Sequence, residues 1–266
     1  MKVKSLGYQT DLLLAESAGE VIDRGTYLVV VTPANPEYYW GNFLLFSDPP
    51  RPGDEVRWKK LFAEEIGHRP QIGHMAFGWD APDGDLGELG PFLEAGFRLL
   101  QYTVLTASQV CVPPQYDPDI TVRPLRNDAD WDQAIETQMA CRVSSGEHPP
   151  SFIDFTTRKM LGYRAMTHAG LGEWFGAFVG TQMAGGLGLF VRDGIGRFQE
   201  VVTRAEFRRQ GVCRSLVYQA SRQAFERMGA ERLVMVADED YIAARIYEQI
   251  GFRPLERQVG IDTWQP

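Results

Sequence analysis

The chain has 266 residues, 44% of them hydrophobic and 23% charged, with a formal net charge of −8 and a pI near 5.1. That balance suits one large or two medium globular domains and argues against nucleic acid as the main partner, since no long basic stripe offsets the acidity. No run approaches the ~20 apolar residues of a membrane helix, Met1-Lys2-Val3-Lys4 opens no signal-peptide core, and Cys111, Cys141 and Cys213 fit no metal-ligand or CxxC pattern. The expectation is a cytoplasmic protein with reduced thiols and no membrane partner.

Taken in order, Asp11 to Ala18 predicts a short helix, and Thr26 to Thr32, rich in β-branched residues, a strand. After the turn Pro33-Ala34-Asn35-Pro36, the run Tyr38 to Phe46 predicts the returning strand of a hairpin. The link Pro49-Pro50-Arg51-Pro52 leads to a helix over 54–66. Met75 to Trp79 reads as a strand, Leu86 to Glu94 as a helix and Phe97 to Thr106 as a strand. No carboxylate or cysteine pattern joins His68 and His74, so no metal is expected. The aromatic cluster Tyr38, Tyr39, Trp40 and Phe43 reads as packing rather than as a ligand cage.

Val112-Pro113-Pro114-Gln115-Tyr116-Asp117-Pro118-Asp119 carries three prolines in eight residues and no periodicity, so it reads as a linker. The expected division is 1–112, a linker over 113–119, and 120–266. Ile120 to Leu125 predicts a strand, and Asn127 or Asp128 caps a helix containing Trp131, Ala134, Ile135 and Met139. A loop over 144–150 precedes a helix over 151–166. Trp174 to Val179, Gln182 to Val191 and Arg197 to Thr203 read as an antiparallel meander. Gly185, Gly186 and Gly188 weaken its middle strand and predict a bulge or a close backbone approach.

The stretch from Phe198 to Phe252 carries the chemistry. An apolar strand ends at Thr203, and the turn Arg208-Arg209-Gln210-Gly211-Val212-Cys213 opens a helix with apolar residues every four positions: Val212, Leu216, Ala220, Ala224 and Met228. Arg204, Arg208, Arg209 and Arg214 crowd this turn. Free N–H groups and the helix dipole make such a glycine-containing basic turn a phosphate seat, while a solvated arginine cluster is the plainer alternative. Gly229 stops the helix. Leu233 to Ala237 reads as a buried strand, and Asp240 caps a second helix, Tyr241 to Ile250, that Gly251 ends.

Strand, basic turn, helix, strand, helix and strand in this order resemble the Gcn5-related N-acetyltransferase (GNAT) superfamily. Its signature loop appears as Arg208-x-x-Gly211-x-Cys213, and its second signature as Asp240-x-x-Ala243-x-x-Ile246-Tyr247-x-x-x-Gly251-Phe252. Cys213 stands where the family has Gly or Ala, and Asp240 where it often has Asn. The resemblance covers Ile120 to about Trp264. It implies the acyl-CoA N-acyltransferase fold, an α/β (α+β) arrangement on a mixed sheet, with the first two helices of that half flanking the acceptor.

A shift of 155 residues places Phe43 on Phe198 and Gly96-Phe97 on Gly251-Phe252. The first half therefore reads as a degenerate GNAT-like unit in tandem with the second, with chance β/α alternation as the competing explanation. Asp48-Pro49-Pro50-Arg51-Pro52-Gly53-Asp54-Glu55 lacks the Arg-x-x-Gly loop. Its prolines and carboxylates make a poor phosphate site.

The resemblance further implies an N-acetyltransferase that moves acetyl from acetyl-CoA to a primary amine of a small molecule or peptide, by direct attack in a ternary complex and without a metal. Main-chain groups of Val201, Val202 and Thr203 would pair with the pantetheine arm. Arg208, Arg209, Gln210, Gly211, Val212, Cys213 and Arg214 would seat the pyrophosphate, with Asp240, Ala243 and Tyr247 completing the cofactor wall. Tyr247 would protonate the leaving thiolate, or else simply pack on the sheet. Glu200 is the first candidate base, Glu147 and His148 are further ones, and a water chain is another. Cys213 has no neighbouring His and does not read as a nucleophile. A non-catalytic acyl-CoA sensor is the alternative function. A nucleotide-binding fold is disfavoured because GxxxxGK[ST] and GxGxxG are both missing. A homodimer is compatible with the sequence.

Overall fold

The computed structural model describes residues 1–114, 116–142, 150–238 and 243–264. In chain order the elements are α1 (Leu6–Ala18), β1 (Glu20–Asp23), β2 (Tyr27–Val31), β3 (Phe43–Phe46), α2 (Asp54–Phe62), β4 (His74–Trp79), α3 (Gly90–Glu94) and β5 (Arg98–Ala107). There follow β6 (Thr121–Pro124), α4 (Asp128–Arg142), α5 (Pro150–His168), β7 (Gly172–Val179), β8 (Gln182–Arg192), β9 (Ile195–Thr203), α6 (Val212–Arg227), β10 (Arg232–Asp238), α7 (Ala243–Ile250) and β11 (Arg253–Trp264). The chain forms two compact units, Met1–Val104 with Leu255–Pro266 and, separately, Leu105–Pro254.

This division corrects the expected 1–112 and 120–266 boundaries. β11 pairs antiparallel with β4, Gly260 opposite Gly78 and Asp262 opposite Ala76. Val259 and Ile261 are accordingly buried in the first unit's core. Backbone pairing and apolar burial, not chain continuity, decide membership, so the last strand joins the first unit and the proline stretch is not the break.

In the first unit β1, β2 and β3 form an antiparallel meander, and β4 lies parallel to β3. Both faces of β2 and β3 are covered, which is why TYLVVVT and FLLF are continuous apolar runs rather than alternating ones. Leu28, Val30, Phe43 and Leu45 pack on Tyr8 and Leu12 of α1. Val29, Leu44 and Phe46 face Trp58 and Phe62 of α2, with Phe77, Trp79 and Phe92.

In this unit the sequence expectations need four adjustments, the first being that α1 starts at Leu6 rather than Asp11. β1 was not anticipated. The returning strand starts at Phe43 rather than Tyr38, because Tyr39–Gly41 form a short helical turn. The Asn42 side chain holds that turn, accepting from Thr32 N–H and donating to the carbonyls of Asn35 and Tyr38 at 2.9–3.0 Å. The helix expected from Leu86 begins only at Gly90, since Gly87 takes a left-handed φ of +56°.

The second unit runs β6-β7-β8-β9-β10, antiparallel except for the parallel β9/β10 pair. Leu216, Ala220 and Ala224 of α6 are fully buried against Phe175, Leu187, Leu189 and Leu233. The bulge expected from the glycines of β8 is present: Gly188 faces Gln199 and Gly186 faces Val202, so β9 takes three steps where β8 takes two. The loop carrying Glu147 and His148 lies outside the described residues, as does Asp240.

Candidate active site

The site begins where two parallel strands part. β9 and β10 pair from Ile195–Arg197 and Arg232–Val234, and among the described residues that pairing stops there although β9 continues to Thr203 and β10 to Asp238. Beside the unpaired end of β9 lies a cleft of about 470 Å³, lined by β9, the loop into α6, α7 and the end of α4. One wall is Val201, Val202 and Thr203, and the Thr203 hydroxyl is buried there without a hydrogen-bond partner. A buried orphan of this kind costs about 1–3 kcal/mol.

The floor is the loop from Phe207 into the first turn of α6. Gly211 caps the helix at φ +82°, ψ −9°, a left-handed conformation that favours glycine, and Arg209 is left-handed too at φ +63°. Ser215 N–H bonds to Gly211 O at 2.9 Å and closes the first turn of the helix. Val212 and Cys213 before it present their N–H groups at the end of the helix dipole, beside the cleft. Such a nest of N–H groups suits an anion.

Three of the four arginines noted in the sequence, Arg208, Arg209 and Arg214, line this cleft. Arg204 instead turns to α4, donating to Thr137 Oγ1 at 3.0 Å and pairing with Glu136 at 3.7 Å. Arg208 Nε reaches back to Thr203 O at 3.3 Å, and Arg214 Nε to Gln249 Oε1 of α7 at 3.2 Å. Gln210 follows the loop only with its backbone, since its side chain donates to Glu206 O at 2.8 Å and does not line the cleft. Cys213 lines the cleft, and burial pushes its thiol up to about 11, against the opposing pull of Arg214. A thiol held that high is a poor nucleophile.

The far wall is α7. Tyr247 is 5% exposed, lines the cleft and stands edge-on to Phe252, ring centres 6.3 Å apart. Phe252 meets Phe198 in the same way at 5.8 Å. Ala243 begins this helix. Five lining residues were not anticipated: Cys141 at the end of α4, Phe207 ahead of the basic turn, and Arg245, Ile246 and Gln249 on α7. The last three lie within two positions of Tyr247, so helical neighbourhood around that residue was the available signal. Nothing local in the sequence brings Cys141 to the cleft.

Glu200, the first candidate base, is not among the cleft-lining residues. Its carboxylate pairs with Lys159 of α5, in a small cavity walled by Gln138, Phe155, Thr156 and Met160. Among the described residues no three His, Cys, Asp or Glu side chains are grouped to hold a metal ion, and no helix is long and apolar enough to cross a membrane.

The model of the acetyltransferase (GNAT) family matches residues 131–252, the span that contains the cleft. No curated protein matches the chain. Among solved structures, a conserved protein of unknown function from Staphylococcus epidermidis ATCC 12228 superposes with a TM-score of 0.68 at 16% identity, over 94% of this chain and 95% of that one. A GCN5-related N-acetyltransferase from Kribbella flavida does so with 0.65 at 13%, over 97% and 95%. A tandem GNAT protein of the clavulanic acid biosynthesis pathway gives 0.50 at 13%, over 79% and 68%. At such identities the likeness is one of fold, and it extends over both units.

Proposed function

We propose, on the premise that residues 131–252 belong to the GNAT acetyltransferase family, that this chain transfers acetyl from acetyl-CoA to a primary amine of a small molecule or peptide. The observation that carries the proposal is the cleft along the unpaired end of β9, closed at one end by the arginine-bearing N-terminus of α6. An extended thioester arm needs an unpaired strand edge, and a pyrophosphate needs free N–H groups with cations nearby. The cleft offers both at once.

In this reading Val201, Val202 and Thr203 bind the pantetheine arm through main-chain groups. Arg208, Arg209, Gly211, Val212, Cys213 and Arg214 hold the pyrophosphate, joined by the backbone of Gln210. The amine nitrogen attacks the thioester carbonyl, the C–N bond forms, the C–S bond breaks, and the departing sulfur takes a proton from the Tyr247 hydroxyl. Water takes the proton lost by the amine and returns one to the Tyr247 oxygen, so the phenol is restored for the next turnover. The first unit serves as a degenerate partner copy that binds no acyl-CoA.

The test is a thiol-release assay across a broad panel of amines, run beside calorimetry with acetyl-CoA. Micromolar binding together with thiol release on at least one amine class is expected. Binding without release on any amine would make the chain an acyl-CoA sensor, and no binding would remove the cleft assignment.

A further inference from the structure

Glu200 is the residue at which the cleft-forming strand is distorted. It sits at φ +49°, a left-handed conformation uncommon for a non-glycine residue, inside the bulge that gives β9 its extra step against β8. Two helices hold it there. Gln138 of α4, 2% exposed, donates from Nε2 to the Glu200 carbonyl at 2.9 Å. Lys159 of α5 pairs with the Glu200 carboxylate, and the two side chains are only 11% and 14% exposed. A strained, charged residue buried at a strand bend persists only where its surroundings over-determine it.

We propose that Glu200 is a positioning residue: with Lys159 and Gln138 it clamps the bulge that carries Val201–Thr203 away from β10, and so holds the cleft open. This rests on the reading of the cleft as the acyl-CoA site, but the clamp itself is a property of β9. The bulge bends the strand one residue before the wall that would take the pantetheine arm. Its backbone carbonyl is satisfied from α4 and its side chain from α5, so both flanking helices are tied to one point of the sheet. Removing either partner of a half-dry ion pair leaves the other charge poorly solvated and frees the bend. Glu200 thereby acts through the strand rather than on the reacting atoms.

The experiment measures amide hydrogen exchange over 198–204 by mass spectrometry and acetyl-CoA affinity by calorimetry. It compares the wild-type chain with Lys159→Met, Glu200→Gly and the exchanged pair Lys159→Glu with Glu200→Lys. Glycine takes the left-handed conformation without strain but carries no tether. Both single variants are therefore expected to exchange about ten-fold faster over 198–204 and to bind acetyl-CoA about ten-fold more weakly, with β6 and β7 unchanged. The exchanged pair should restore part of both. If Lys159→Met does not fold, Glu200→Gln, which keeps the shape and removes the charge, gives the same readout.

Unaltered exchange over 198–204 in the single variants would overturn the clamp. So would unaltered affinity with a turnover profile displaced only on its acid limb, which would make Glu200 a base freed from its lysine. A wild-type chain that takes no acetyl-CoA would refute the cleft assignment instead, and the exchange rates would still decide the clamp.

Discussion

The two units use the same local devices and end with opposite interiors. Each begins its central helix with a left-handed glycine in nearly identical geometry, Gly53 at φ +87°, ψ −6° and Gly211 at φ +82°, ψ −9°. Each follows a short helix with a left-handed glycine and a phenylalanine whose N–H bonds back five residues, Phe97 to Phe92 O at 3.0 Å and Phe252 to Tyr247 O at 3.1 Å. In the first unit, however, β3 and β4 stay paired to their ends, Phe46 opposite Trp79. Trp58 stacks on Phe46 with ring centres 3.8 Å apart and fills the space. The second unit has Leu216, Ala220 and Ala224 in a stripe matching Trp58, Phe62 and Ile66, and its parallel strands separate.

The helix starts differ in charge as well. Asp54 occupies its own helix N-terminus, accepting from Arg51 N–H at 2.8 Å and pairing with Arg57 at 2.7 Å. The first unit has thus supplied the anion itself, whereas the second presents arginines and the N–H groups of Val212 and Cys213 to the cleft. Phe92 stands where the second unit has Tyr247, so the phenol is missing too. The comparison teaches that the scaffold and its glycine turn do not by themselves open a cleft. The cleft is found in the unit where the parallel strands part and the helix stripe is small.

The largest expected effect tests the filled interior. Trp58→Ala should destabilise the first unit by about 3–5 kcal/mol, because a buried indole stacked on Phe46 leaves a cavity that the sheet cannot close. Denaturant unfolding measures it, and a loss below ~1 kcal/mol would mean the aromatic plug is not what distinguishes the units. Next comes the glycine pair. Gly211→Val should weaken acetyl-CoA binding by about 100-fold or more, since a β-branched residue is strained in the left-handed conformation and projects toward the anion seat. Gly53→Val should leave that affinity unchanged. Equal effects of the two on calorimetric affinity would erase the functional asymmetry.

Tyr247→Phe makes the second unit resemble the first at one atom. Turnover under single-turnover conditions should fall about 10²-fold with acetyl-CoA affinity nearly constant, as for loss of a general acid that acts when charge develops on sulfur. Wild-type turnover in the phenylalanine variant would remove Tyr247 from that role.

The smallest effect concerns pH and only the first unit. Burial holds His74 below its ordinary value of 6.5 while its ring stacks on Tyr39 at 4.2 Å and Nε2 donates to Asn42 O at 3.0 Å. The unfolded chain therefore binds a proton that the folded unit refuses. Stability is full above pH 6.5 and declines as pH falls through that value toward the depressed folded one. Thermal unfolding between pH 8 and 5 should show this decline in wild type and a flatter profile in His74→Gln. Parallel profiles would sink the assignment.

Much of the second unit's site is legible in the amino-acid sequence alone, and for definite reasons. The basic turn at Gly211, the α6 stripe and Tyr247 lie within one contiguous stretch, where helical period and turn chemistry act locally. The same local chemistry lets the glycines of β8 announce a bulge. What the sequence could not determine depends on partners far along the chain. The Arg253–Trp264 strand carries nothing that says it will pair with β4 rather than stay with its own half, because strand pairing is set by which unit offers a free edge and an apolar face. The position of Cys141 and the withdrawal of Arg204 toward Glu136 follow from how α4 lies against the sheet. Glu200 is the clearest case: alternation along a strand could say only that it points one way or the other, and a single extra residue opposite Gly186 and Gly188 turned it toward Lys159 and away from the cleft.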